Sequence, residues 1–86
     1  MAHSKSAKKR VRQNVERRAR NRVGRSRLRT QIKKFRQAAE SGDASTVKEL
    51  LNPTLKLVDH SWSIGLIHRN AASRLKSRLA RRALTV

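Results

Sequence analysis

The feature that most constrains this chain is a long stretch without a strong helix breaker. From residue 5 to residue 40 the sequence contains no proline and a single glycine, Gly24. One continuous helix is therefore permitted over the whole range. Such a helix would be roughly 54 Å long, whereas a compact chain of this size has a radius of gyration of roughly 12 Å. We therefore expect the basic half of this helix to protrude from any globular part.

Charge is distributed along the chain in three blocks. Residues 1 to 36 contain 15 basic residues and one acid, residues 37 to 66 contain two basic residues and four acids, and the remainder contains six basic residues and no acid. The net charge of +18 opposes a compact state unless a polyanion neutralises it. Arginine outnumbers lysine by 15 to 8, and a guanidinium can donate two hydrogen bonds to one phosphate. The charge pattern therefore predicts a nucleic acid partner.

Two apolar stripes lie along the first predicted helix, on nearly opposite sides. The first stripe has small side chains and consists of Val11, Val15, Ala19 and Val23. The second stripe has larger side chains and consists of Leu28, Ile32, Phe35 and Ala39. Only the second stripe has enough apolar surface to indicate a core.

Two further helices follow. The sequence "ESGDAST" predicts a turn in which Gly42 ends the first helix and Asp43 or Ser45 caps a second one over residues 43 to 62. Pro53 predicts a kink or a break near residues 52 and 53. A third helix is expected over residues 66 to 84. Core positions in these two helices are Val47, Leu50, Leu51, Leu55, Val58 and Trp62, then Ile67, Ala71, Ala72, Leu75, Leu79 and Ala83.

These patterns together predict the fold class. The chain should be an all-α protein forming a three-helix bundle with a long, basic, protruding first helix, in a single domain over residues 1 to 86. No apolar run approaches the roughly 18 residues that span a bilayer, so we expect no membrane partner. A mitochondrial transit peptide is the alternative interpretation of the arginine-rich N-terminus, disfavoured because its apolar face would be small.

Patterns typical of enzymes and metal sites are missing from the sequence. His3, His60 and His68 form no HExxH or clustered ligand pattern, and the chain has no cysteine. It also has no GxSxG motif, P-loop or GxGxxG motif. We therefore expect no catalysis, no metal, no cofactor and no small-molecule substrate.

The mode of nucleic acid binding follows from the scarcity of aromatic residues. Phe35 and Trp62 are the only two, and both fit apolar stripes, so base stacking on aromatic platforms is not expected. Arginine and lysine side chains around a helix instead suit contact with several phosphates at once. In "IHRN", His68 and Asn70 are either ordinary first-turn residues or part of an anion site at a helix start, and we favour the anion site. Composition leaves RNA and DNA both open.

A resemblance to a known family narrows the partner. The segments that carry it are "SAKKR" at 6 to 10, "RS" at 25 and 26, "RT" and "IKK" between 29 and 34, "GD" at 42 and 43, and "GLIHRNAASRLKSRL" at 65 to 79. In this order and spacing the chain resembles the ribosomal protein S twenty family of the bacterial small subunit. The resemblance covers nearly the whole chain.

The resemblance implies a three-helix bundle whose first helix is buried in ribosomal RNA. It also implies direct binding of 16S ribosomal RNA, at the 5′ domain and the long helix near the 3′ end, and an early role in assembly in the bacterial cytoplasm. Matching positions imply RNA contacts by Lys8, Lys9, Arg10, Arg18, Asn21, Arg25, Arg29, Lys33, Lys34, His68, Asn70, Arg74 and Lys76. Neighbouring polar residues in the same segments complete the predicted RNA-binding set, namely Lys5, Arg12, Arg17, Arg22, Arg69, Ser77 and Arg78.

Two rival functions use the same charge. A nucleoid or histone-like protein would bind DNA with it, and the residues alone do not distinguish the two nucleic acids. An interfacial membrane helix is disfavoured, because the basic half offers no Trp, Phe or Leu before Leu28.

Overall fold

The computed structural model describes residues 4–86, which form three α-helices and, within that range, no strand. Helix α1 spans Lys5–Glu40, α2 spans Ala44–Ser63 and α3 spans Arg69–Leu84. The molecule measures 58 × 21 × 16 Å, so α1 gives it its length. The expected all-α fold, a bundle of three helices with a long first helix, is confirmed.

The N-terminal half of α1 lies outside the bundle. Ser4 caps the helix, because its hydroxyl accepts a hydrogen bond from the Ala7 backbone N–H at 3.1 Å. Every residue from Lys8 to Arg20 is exposed. The radius of gyration is 17.3 Å, against roughly 12 Å for a compact chain of this length. The protrusion expected from the length of the first helix is therefore present.

Both inter-helix turns depend on a glycine with positive φ. Gly42 (φ 74°) follows α1 and Gly65 (φ 80°) follows α2, a backbone conformation that costs other residues energy. In each turn the next residue donates its N–H back into the helix that has ended. Asp43 donates to the Ala38 carbonyl at 3.2 Å, and Leu66 donates to the Ser61 carbonyl at 2.8 Å. These bonds reverse the chain tightly and set the helices side by side.

Asp43 also begins α2. Its carboxylate accepts hydrogen bonds from the Thr46 hydroxyl, the Thr46 N–H and the Ser45 hydroxyl, which lower the pKa of Asp43 below its ordinary value. Because the pKa is lowered in the folded state, this cap stabilises the helix when Asp43 is ionised, and the contribution is lost as the pH falls through the folded-state pKa.

Of the kink or break expected near residues 52 and 53, the break does not occur. Helix α2 is continuous, with Pro53 inside it. Proline lacks an N–H, so the Glu49 carbonyl loses its usual partner one turn later. Glu49, Asn52 and Pro53 are all exposed, so water can reach the free carbonyl while the buried face keeps its hydrogen bonds. A kink at this position stays a prediction.

The core lies where all three helices meet. Its buried residues are Leu28, Phe35, Ala38 and Ala39 from α1, Val47 and Val58 from α2, and Ala72 and Leu79 from α3. The larger apolar stripe of α1 therefore packs in the core as expected, whereas Val11, Val15 and Val23 are exposed. Phe35 is 0% exposed and has the largest side chain among the fully buried residues.

The core of α2 differs from the expected one. Trp62 is 45% exposed rather than buried, and the small polar residues Thr54 and Ser61 take interior positions instead. Their hydroxyls donate to the carbonyls of Leu50 and Leu57 at 2.7 and 2.8 Å, which satisfies the buried hydrogen-bonding groups. At about 100° per residue, Ser61 lies about 20° from the buried Thr54 around the helix, whereas Trp62 lies about 80° from it, at the edge of the buried face. In α3, Ala71 is likewise exposed.

The third helix begins later than expected, at Arg69 rather than at residue 66. Leu66 is 8% exposed and lies against α1, where a Cβ added to Gly24 would come within 2.5 Å of its Cδ1. The Leu66 N–H is also used to close α2. Because Leu66 makes both contacts, the chain does not become helical until after His68. The lone glycine of α1 is the site of a close packing contact with Leu66.

Candidate nucleic-acid interface

The predicted residues of α1 are almost all exposed to solvent. Asn21 alone among them is half-buried. The consecutive side chains of Lys8, Lys9 and Arg10 point about 100° apart, so this segment presents cations around the helix rather than on one face. A helix with this arrangement can contact phosphates on several sides at once.

A basic groove lies further along α1, where the helix enters the bundle. Arg25, Arg29 and Lys33 line one side of the helix, one turn apart, with Arg36 continuing the row. Leu28 and Ile32 form its apolar floor, and Gln37 and Glu40 also line it. The predicted set omitted Arg36, although its position three residues after Lys33 places it on the same helix face. Four guanidinium and ammonium groups in a row match the repeating charge of a phosphate backbone.

His68 occupies the N-cap of α3. Its backbone is extended (φ −73°, ψ 151°), and its Nδ1 accepts a hydrogen bond from the Asn70 N–H at 3.1 Å. In the neutral imidazole this arrangement leaves the proton on Nε2, which is then a donor. His68, Arg69 and Asn70 are all exposed. The structure thus brings the predicted cluster together at a helix start, with one of the free N–H groups already bonded by the imidazole.

The remaining predicted residues follow along α3. Arg74, Ser77 and Arg78 are exposed, whereas Lys76 is half-buried and its Nζ lies 2.9 Å from Asp59 Oδ1 of α2. Both side chains of this ion pair are partly exposed, so the pair contributes at most about 1 kcal/mol. A phosphate can compete with Asp59 for Lys76 at small cost.

The two basic helices approach each other at one cleft. Arg36 and Glu40 of α1 and Arg78 and Arg82 of α3 lie around it, with the side chains of Phe35, Leu75 and Leu79. Sequence reasoning missed Arg36 and Arg82 as partners of Arg78, because the pattern within one helix carries no information about which residues of another helix lie opposite. The predicted residues near the N-terminus of α1 lie far from this cleft, along the protruding part.

No group of histidine, cysteine or carboxylate side chains within residues 4–86 could hold a metal ion. His3, one of the histidines considered for such a site, lies outside the described residues. Over the same part of the chain, no helix is both long and apolar enough to cross a membrane.

Comparison with known proteins identifies relatives along almost the whole chain. The family model for ribosomal protein S20 matches residues 2–83. The small ribosomal subunit protein bS20 of Nitrosomonas eutropha is 48% identical over 80 residues, which cover 93% of this chain and 92% of that protein. The protein of the same name from Geobacter metallireducens is 48% identical over 81 residues, covering 94% and 93%. That from Methylococcus capsulatus is 51% identical over 79 residues, covering 92% and 86%.

These matches agree with the resemblance seen in the sequence and extend from the protruding helix through most of α3. Proteins of the matched family are structural components without catalytic activity, so the chain is not an enzyme. With a family model that matches nearly its full length, the chain belongs to the ribosomal protein S20 family.

Proposed function

We propose that the protein is a structural constituent of the small ribosomal subunit that binds 16S ribosomal RNA directly and stabilises its folded form during assembly. Its relatives carry the name of a small ribosomal subunit protein. The observation that carries the RNA-binding part is the exposure of cations all around the protruding half of α1, where every residue from Lys8 to Arg20 is accessible. A helix of this kind gains little from the bundle and much from surrounding phosphates.

The binding energy of α1 comes from charge neutralisation. Each cation that meets a phosphate releases counterions, so affinity falls with a log-log salt slope of roughly 0.7 to 0.9 per contact. Because the cations of α1 lie at many azimuths, two RNA segments on opposite sides of the helix can be held close together. Neutralising both segments reduces the repulsion that otherwise keeps them apart.

The bundle supplies the geometry. Helix α2 packs against both α1 and α3 and thereby fixes the basic surfaces of those two helices relative to each other. It carries Glu49 and Asp59 but only two basic residues, Lys48 and Lys56, so its outer surface has little attraction for RNA. The protein therefore has two RNA-facing helices and one helix that connects them.

In the assembled subunit the contacts would lie at the 5′ domain and at the long helix near the 3′ end of 16S ribosomal RNA. The α1 contacts would be made from Lys5 to Lys34 and the α3 contacts from His68 to Arg78, through the predicted basic and polar residues of those segments. The location is the ribosome in the cytoplasm, and the role is architectural.

A competition experiment separates this function from DNA packaging. We expect labelled 16S ribosomal RNA bound to the full chain at moderate salt to resist displacement by an excess of random duplex DNA. The reason is that the two basic helices are held in one relative geometry, which suits a folded RNA and not a regular duplex. Equal affinity for the two nucleic acids would favour a nucleoid-type protein, and a flat salt response would contradict phosphate binding altogether.

A further inference from the structure

The turn between α2 and α3 forms a notch in which His68 and Arg69 are already proposed RNA contacts, whereas Trp62 has no role assigned so far. It is lined by Trp62, Gly65, Leu66, Ile67, His68 and Arg69, with a volume of about 470 Å³. Its floor is fixed, because Leu66 is buried against Gly24 and closes α2 through its N–H. Its shape thus follows from the packing of α1 against the turn and does not depend on a mobile loop.

Trp62 gives this notch its chemistry. The chain has one tryptophan, and that indole is 45% exposed although the core nearby is filled by Ser61 and Val58. A large aromatic surface left in contact with water gains free energy when a partner covers it. Since Phe35 is completely buried and the chain has no tyrosine, Trp62 is the one exposed side chain among its phenylalanine, tyrosine and tryptophan residues.

The polar residues of the notch favour an anionic partner. Arg69 brings a guanidinium, and His68 brings an Nε2 donor because its Nδ1 is occupied by the Asn70 N–H at 3.1 Å. No acidic residue lines the notch. A flat aromatic face beside two donors that suit phosphate matches a nucleotide whose base is not paired, since a base inside a duplex has no free face.

We propose that this notch holds one unpaired nucleotide of the bound RNA, with its base stacked on the Trp62 indole and its phosphate at Arg69 and His68. The proposal rests on the proposed function, because it assigns one contact within the same RNA complex. It adds a base-stacking site to a protein whose other contacts are made through phosphates.

The fluorescence of Trp62 reports directly on what covers the indole, because the chain has no other tryptophan that contributes to the emission. Titration of the full chain with 16S ribosomal RNA should quench tryptophan fluorescence along the same saturation curve as binding measured by filter retention. A fully paired RNA duplex of mixed sequence should bind through charge and leave the emission unchanged. Binding of 16S ribosomal RNA without quenching, or equal quenching by the duplex, would overturn the proposal.

Substitutions provide the second readout. Trp62→Leu keeps an apolar side chain but removes the stacking surface, and should weaken binding to 16S ribosomal RNA by roughly 5- to 150-fold. Trp62→Phe should retain most of the affinity. Ile64→Ala is the matched control, because Ile64 is 55% exposed in the same turn but lines a different depression. Circular dichroism would check that each variant is folded.

The outcomes distinguish this site from the proposed function as a whole. Wild-type affinity in Trp62→Leu, with binding still sensitive to salt, would remove the nucleotide site and leave the ribosomal RNA function standing. Wild-type affinity in Trp62→Leu is also the result expected if a neighbouring protein in the subunit, and not a nucleotide, covers the indole, so that result overturns the nucleotide site in either case. No binding of 16S ribosomal RNA by the wild-type chain would contradict both.

Discussion

Replacing Phe35 by alanine should unfold the bundle. Phe35 is completely buried where the three helices meet, and truncation of a buried phenylalanine costs about 3–5 kcal/mol. A domain of this size has roughly 4–13 kcal/mol of stability, and self-repulsion by a net charge of +18 lowers it further. Circular dichroism of the Phe35→Ala variant during heating should show that the bundle is already unfolded at 37 °C.

A matched pair in α3 controls for the effect of truncation itself. Leu79 is 3% exposed and Leu84 is 85% exposed, so the same Leu→Ala change removes a core side chain in one case and a solvent-exposed one in the other. We expect about 2–5 kcal/mol of destabilisation at Leu79 and no more than about 0.5 kcal/mol at Leu84. Similar values at the two positions would show that the bundle is not packed as described.

Removing two cations from the groove of α1 should reduce RNA affinity strongly. In the double variant Arg29→Gln with Lys33→Gln, two exposed cations one turn apart are lost while polar side chains remain. Counterion release contributes roughly a factor of 5 to 8 per phosphate contact at 0.1 M salt, so the loss should be roughly 25- to 60-fold. The log-log salt slope should become shallower by roughly 1.4 to 1.8.

Helix α2 supplies the control of equal charge. Lys48→Gln with Lys56→Gln also removes two exposed cations, but from the helix that we place away from RNA. Charges beyond the Debye length, roughly 10 Å at 0.1 M salt, are largely screened, so affinity should stay within about twofold of wild type. An equal loss in both double variants would mean that net charge alone governs binding and that α1 has no special role.

Periodicity within single helices predicted much of this fold. The contrast between the small stripe at Val11 and Val15 and the larger stripe at Leu28 and Phe35 correctly separates the exposed half of α1 from the packed half. These predictions succeed because the apolar residues of a buried helix face recur with the 3.6-residue period of that helix, which can be read from one segment alone.

The features that the sequence did not predict all depend on packing between helices. Trp62 fits the apolar face of α2 in a helical projection, yet it is 45% exposed while Ser61 is buried. The late start of α3 follows from the contact between Leu66 and Gly24, two residues far apart in the chain. A lone glycine within a helical pattern is a signal for such a contact, but it does not name the partner.

In the candidate interface too, the sequence predicted features within one helix but not the contacts between helices. Charge blocks and the resemblance to a ribosomal family selected residues along α1 and α3 that are exposed, apart from the half-buried Asn21 and Lys76. The ion pair of Lys76 with Asp59, and the meeting of Arg36 with Arg82 at one cleft, needed the relative placement of helices. Charge patterning therefore indicates which segments can meet RNA, whereas packing decides which cations act together.

Chemical footprinting of 16S ribosomal RNA with and without the protein tests the central claim most directly. We expect protection from backbone cleavage to be concentrated in the 5′ domain and in the long helix near the 3′ end, because two basic helices in fixed geometry contact two parts of the folded RNA. Protection should become weaker and less localised in both regions in the Phe35→Ala variant, which keeps every charge but loses the bundle that fixes the two basic helices relative to each other. Protection spread evenly over the RNA, or an unchanged footprint in that variant, would contradict the account.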